Sequence, residues 1–286
     1  MSDTLISTRE LAQRLEEPAL AVIDCRFDLA RPEWGAEAYA AGRIAHARYA
    51  HLDRDLSAAV SSSSGRHPLP SPARLGERFG LWGIDANTQV VAYDQGPGAF
   101  AARLWWLLRW LGHRRVAVLD GGLAAWLADG LPLEQGASAP VSERRFSGRP
   151  TAGLLAETAE LEQAVRTGAL ARGEPLLIDA RGADRFAGRN ETIDPVAGHI
   201  PGARNQPFTD NLTAGRFRDA AALRARYLEL LDGRPPQSAV CMCGSGVTAC
   251  HNLLALEIAG LGGARLYAGS WSEWIRDPAR PVARAP

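Results

Sequence analysis

A chain of 286 residues is long enough for two compact domains, and 46% hydrophobic with 22% charged residues is the balance of an ordinary globular protein. The 32 basic and 32 acidic residues cancel, so no global field draws in nucleic acid or an anionic membrane, and neither is expected as a partner. Apart from histidine every basic residue is arginine, which excludes a P-loop lysine, Schiff-base chemistry and a Ser-Lys dyad.

The opening MSDTLISTRELAQRLEE is charged and has no apolar core, so it does not read as a signal peptide. Within it TRELAQRL predicts a helix. ALAVID, TQVVAYD and RVAVLD then read as buried strands, alternating with the helical patterns AFAARLWWLLRWLG and GLAAWLADG. The aromatic run ARLWWLLRWLGH (102–113), with its flanking arginines, reads as packing surface toward a partner domain. The second half alternates in the same way, with AETAELEQAVRTG, RDAAALRARYLELL and GVTACHNLLALEIAG as helices and PLLIDAR, QSAVCMC and ARLYA as strands. No run of about 18 apolar residues suggests a membrane span. Alternating strand and helix predicts an α/β fold, a parallel sheet with helices on both faces, whose sites lie at the carboxyl ends of strands.

The halves share more than this alternation. AVIDCRFD (21–28) recurs as LLIDARGAD (176–184), AGRIAHARY (41–49) as AGHIPGARN (197–205), and VAVLDGGLAAW (116–126) as ARLYAGSWSEW (264–274). QVVAYDQGPGAFAARLWWLL (89–108) answers SAVCMCGSGVTACHNLLALE (238–257). The order is kept and the offsets drift only from 148 to 156 residues, as in a duplicated domain. The expected division is residues 1–134, a linker at 135–153 rich in Gly, Ser, Pro and Ala, and residues 154–286.

Four cysteines (Cys25, Cys241, Cys243, Cys250), three of them within ten positions, do not form a secreted disulfide pattern; reduced thiols in a cytoplasmic protein are expected. Cys241 and Cys250 read as core. Cys243 ends a strand, Gly244-Ser245-Gly246 follows, and a helix begins. Two glycines let successive amides turn inward as a nest, and the helix adds its positive end, which together favour a thiolate. A cysteine in an apolar strand is ordinarily inert, and local physics leaves Cys243 open between core filling and nucleophile. A dinucleotide fingerprint, Gly244-x-Gly246-x-x-Ala249, lacks its acidic residue at the end of the next strand, which reads LYAGS. A cysteine phosphatase would need arginine where Ala249 stands. Zinc on Cys241, Cys243, Cys250 and His251 lacks separated C-x-x-C pairs.

CGSGVTACH, with GHIPGARN before it and YAGSWSEW after it, resembles the active domain of the tandem rhodanese-type sulfurtransferases, the 3-mercaptopyruvate sulfurtransferases in particular, and the resemblance spans both halves. It implies two tandem rhodanese-like domains, no metal and no organic cofactor. It also implies transfer of a sulfane sulfur, through a persulfide on Cys243, from a small-molecule donor to a thiol such as thioredoxin or to cyanide. The loop residues Gly244, Gly246, Val247 and Thr248 would bind the substrate. Its neutral, hydroxyl-bearing character favours mercaptopyruvate, with release of pyruvate; thiosulfate:cyanide transfer is the alternative, and a non-catalytic persulfide carrier the alternative of another class. A Ser–His–Asp relay maps onto Ser245, His67 and Asp53. Of two arginines that hold the substrate carboxylate, the first maps onto Arg185. The place of the second, ahead of GHIP, holds no arginine, and Arg189 is the nearest substitute. Asp94 stands where Cys243 stands in the second copy, so the first copy is expected to be silent.

Overall fold

A computed structural model describes residues 4–136, 138 and 140–284; residues 137 and 139, in the stretch read as linker, lie outside the described residues. The chain forms two compact units, one of residues 1–58, 69–151 and 214–217, the other of residues 59–68, 152–213 and 218–286.

In the first unit β1 (Leu5–Ile6) leads into α1 (Thr8–Arg14), β2 (Leu20–Asp24), α2 (Trp34–Ala41), β3 (Arg48–Tyr49), α3 (Pro72–Leu81), β4 (Gln89–Tyr93), α4 (Ala101–Trp110), β5 (Val116–Leu119) and α5 (Gly122–Ala128). The start of α1 is set locally. Ser7 Oγ accepts from the Glu10 amide, and the Glu10 carboxylate accepts from the Ser7 amide, so two of the helix's open donors are met. At α3 the pair Ser71-Pro72 supplies a capping hydroxyl and a proline at the first helical position. The strands pair in the order β1-β5-β4-β2-β3, all parallel, and the middle ones are apolar on both faces because helices cover both. Helix α4 is buried along nearly its whole length, with Trp106 and Trp110 stacked at 5.7 Å. Residues 140–151 of the linker stretch run as coil, with the Arg144 amide donating to Gly80 O at 3.0 Å and Phe146 edge-on to Phe79.

The second unit holds α6 (Thr158–Arg166), β6 (Leu176–Asp179), α7 (Ala183–Ala187), β7 (Arg204–Asn205) and the short strand β8 (Leu212–Thr213). The next short strand, β9 (Arg216–Phe217), counts with the first unit; then come α8 (Ala220–Leu231), β10 (Ala239–Met242), α9 (Thr248–Ile258), β11 (Arg265–Leu266) and α10 (Ser270–Trp274). The sheet order is β11-β10-β6-β7, again parallel, and Leu155 bridges Leu266 as β1 pairs with β5 in the first unit. No helix among the described residues is long and apolar enough to cross a membrane.

The duplication extends to side chains. In the first unit the Arg26 guanidinium clasps the Asp24 carboxylate at 2.7 Å and donates to Gly42 O; in the second Arg181 clasps Asp179 at 2.7 Å and donates to Gly198 O. Trp126 and Trp274 are both buried in their cores and donate to the carbonyls of Pro132 and Pro281.

Candidate active site

Strand β10 ends at Met242, and its neighbours on both sides carry its last residues into the unit's interior. The next residue, Cys243, is 2% exposed. Its sulfur accepts from the Gly246 amide at 3.2 Å and from the Ser245 amide at 3.5 Å. The turn that aims them depends on Gly246, whose φ is 76°; a Cβ there would also stand 2.4 Å from Ala268 O. Val247 precedes α9 and Thr248 opens it, so their amides belong to the first turn, which has no preceding helical carbonyls to use them.

The segment at the start of α10 braces this loop from behind. The Cys243 amide donates to Ser270 Oγ at 3.1 Å, while the amides of Trp271 and Ser272 donate to the carbonyls of Cys243 and Gly244. Ser270 has φ 54°, a conformation costly for a residue with a side chain; Gly122 occupies the matching place in the first unit at φ 56°. The hydroxyl justifies that cost, because it also donates to Tyr267 O at 2.9 Å and so ties the loop to the end of β11.

His67 lies in residues 59–68, which pack in the second unit although they precede most of the first in sequence. Its Nδ1 stands 2.7 Å from Ser245 Oγ, both side chains buried. Gly65 makes the approach possible, since a Cβ there would stand 2.6 Å from Gly269 O. Asp53 belongs to the first unit, where its amide donates to His51 Nδ1 at 3.1 Å and its side chain is exposed.

Arg185 reaches the loop from α7. Its guanidinium nitrogens lie 3.6 and 3.7 Å from where a Cβ on Gly244 would stand. It is held by Glu191 at 2.9 Å and Asp194 at 2.9 Å. Burial works against the Glu191 charge, but the Arg185 guanidinium and the amides of Asp194 and Ile193 hold that carboxyl below its ordinary value. Arg189, the substitute expected for the second arginine, does not fill that role. Helix α7 ends at Ala187, Gly188 turns left-handed, and Arg189 leaves the helix 61% exposed, paired with Asp184 at 3.3 Å. The second guanidinium beside Gly244 is that of Arg66, 3.2 Å from the same Cβ position. Sequence spacing around GHIP could not point to it, since it lies in the serine-rich loop, one residue before His67.

The other thiols are differently placed. Burial pushes the Cys25 and Cys241 thiols well up, with nearby carboxylates adding to the rise at Cys25. The Cys250 thiol donates to Gly246 O, and His251 Nδ1 faces Asn211 at 3.2 Å within a buried amide network. In the first unit the loop after β4 forms a nest of its own. Asp94 fills it: Oδ1 accepts from the amides of Gly96 and Gly98, Oδ2 from those of Phe100 and Ala101, at 2.8–3.1 Å. Burial raises this carboxyl against those four donors. The amides are spread to meet two oxygens, which one sulfur cannot span, and the loop reads QGPGAF, without a serine. Asp94→Cys is therefore expected to add no sulfur-accepting thiol to the first unit, as counted by the intact mass of the variant against the wild type after treatment with a sulfur donor.

Both halves match the model of the rhodanese-like domain, over residues 7–129 and 158–277. Over its full length the chain is similar to a probable 3-mercaptopyruvate sulfurtransferase of Pseudomonas aeruginosa, 54% identical over 99% of this chain and 98% of the relative. A putative thiosulfate sulfurtransferase of Mycobacterium tuberculosis is 38% identical over 98% of this chain and 96% of its own. Among solved structures, the 3-mercaptopyruvate sulfurtransferase of Leishmania major superposes with a TM-score of 0.83 at 33% identity, covering 95% of this chain and 74% of that one.

Proposed function

The chain belongs to the rhodanese-like domain family and is a sulfurtransferase, and from that footing we propose that its second unit takes sulfur from 3-mercaptopyruvate onto Cys243 and passes it to a thiol or cyanide. The observation that carries this reading is the pair of amides, from Ser245 and Gly246, aimed at the Cys243 sulfur. They favour a thiolate before reaction and the terminal sulfur's charge after it, with no reorganisation during the step.

The thiolate attacks the sulfur of the donor. An S–S bond forms, the C–S bond breaks, and its electron pair passes to carbon, giving the enolate of pyruvate. The proton that began on the donor thiol ends on that carbon, so charge and atoms balance with no outside reductant. Ser245 and His67, 2.7 Å apart, provide a hydroxyl–imidazole path for that proton. The amides of Gly244, Gly246, Val247 and Thr248 form the cradle, and Arg185 offers a fork to the donor carboxylate. An acceptor thiolate, thioredoxin among the candidates, or cyanide then removes the outer sulfur and restores Cys243. The four free thiols suit a reducing cytoplasm.

Incubation with 3-mercaptopyruvate in the absence of acceptor tests the assignment. The expected result is one equivalent of pyruvate per chain and one added sulfur on the peptide carrying Cys243, with none on Cys25, Cys241 or Cys250. Loading of a different cysteine would overturn it.

A further inference from the structure

Three arginines and three carboxylates of the second unit form one chain beside the cysteine loop. Arg181 pairs with Asp179 and, at 3.4 Å, with Glu191. Arg185 spans Glu191 and one oxygen of Asp194, and Arg66 pairs with the other oxygen of Asp194. The charges balance, three against three. Glu191 and Asp194 have side chains only 2% exposed, whereas Arg66 and Arg185 are 29% and 21% exposed. The carboxylates thus sit behind, and the two cations face outward over Gly244.

Arg66 is placed rather than incidental. Its amide donates to Ser272 Oγ at 2.9 Å, and Gly65 packs against Gly269 just before it. Its buried Nε has no hydrogen-bond partner among the described residues, so the fork retains donor capacity beyond its Asp194 contact. Together with Asp194, Ser272 and Arg276 it walls a cavity of about 300 Å³ to which Arg185 does not contribute, and the two guanidinium groups meet at Gly244, within 3.2–3.7 Å of its Cβ position.

We infer that Arg66 and Arg185 together form the anion subsite beside Cys243, and that Asp194, bound to both, tunes it to a donor with a single negative charge. The inference rests on the reading that Cys243 takes sulfur from a carboxylate donor. Two guanidinium forks converging on one point suit a planar carboxylate. On a balanced cluster a dianion leaves twice the uncompensated charge of a monoanion, which disfavours thiosulfate. Removing the Asp194 charge exposes one surplus cation, and a dianion gains about twice as much from it as a monoanion does.

The test compares kcat/KM for 3-mercaptopyruvate and for thiosulfate, with cyanide as acceptor, in the wild type, Asp194→Asn, Arg66→Ala, Arg66→Lys and Arg185→Ala. Asp194→Asn is expected to raise the thiosulfate-to-mercaptopyruvate ratio by about tenfold, with thiosulfate turnover itself increased. A merely damaged site loses both activities together, and an unchanged ratio overturns the tuning role. Arg66→Ala and Arg185→Ala are each expected to raise KM for mercaptopyruvate about tenfold with kcat nearly kept, and Arg66→Lys to recover part of the loss. If Arg66→Ala lowers kcat and leaves KM alone, Arg66 acts on His67 rather than on the donor, and the subsite fails. Because persulfide loading of Cys243 is scored separately by mass, loss of the subsite and loss of the nucleophile are distinguishable outcomes.

Discussion

Cys243→Ser is expected to lower sulfur transfer from 3-mercaptopyruvate by about four orders of magnitude while leaving the fold intact. The serine oxygen fits where the sulfur stood and still meets the amides of Ser245 and Gly246. An alkoxide is nevertheless far less accessible near neutral pH than a thiolate, and it cannot form an S–S bond. The companion variant is His67→Gln, which keeps the approximate size of the side chain but cannot take up and release a proton near neutral pH. A relay contributes about 10²–10⁴-fold, so the rate of pyruvate release should fall by that much while persulfide still forms slowly at Cys243. A passive persulfide carrier needs the sulfur and its amides but gains nothing from an imidazole 2.7 Å from Ser245. Unchanged loading rates in His67→Gln would favour the carrier, and retained turnover in Cys243→Ser would remove the nucleophile.

The parts of this molecule that were readable beforehand are those written in local pattern. Apolar runs of four or five residues, interrupted by Gly and Asp, mark β2, β4, β5, β6 and β10. The two-glycine turn after Cys243 announces inward amides, and the recurrence of IDCR as IDAR foreshadows the matching Asp24–Arg26 and Asp179–Arg181 clasps. The two-residue strands β3 and β7 escape any periodicity because they are too short to have one. Helix α3 carried a legible start in Ser71-Pro72, a signal of capping rather than of hydrophobic spacing. The second arginine was illegible for a different reason. Spacing ahead of GHIP proposes Arg189, but a five-residue helix ended by a left-handed glycine turns that side chain to solvent. Arg66 reaches Gly244 through the packing of residues 59–68 into a unit made mostly of the other half, a long-range event that no local pattern encodes.

The two clasps also give the largest stability effects. Asp24 and Asp179 have fully buried side chains, and each holds a buried arginine that also donates to a single carbonyl. Replacing either aspartate by alanine strands a guanidinium in the interior, at a cost of about 3–5 kcal/mol, enough to lower the melting temperature of a domain of this size by about 10 °C. The two losses should differ. Arg181 keeps Glu191 at 3.4 Å and lies over the Trp271 ring at 4.7 Å, so Asp179→Ala is partly compensated. Asp24 also accepts from the Tyr93 hydroxyl at 2.7 Å, so Asp24→Ala strands a second polar group and should be the more damaging of the two. Asp184→Ala, which breaks the exposed pair with Arg189, serves as the reference and should move the melting temperature by no more than about 2 °C. Thermal melts of the three variants check the order: Asp24→Ala lowest, then Asp179→Ala, with Asp184→Ala close to the wild type. Equal small shifts in all three would mean that the paired arginines find other partners, and that the repeated Asp-x-Arg clasp is not what holds each sheet to the loop beyond it.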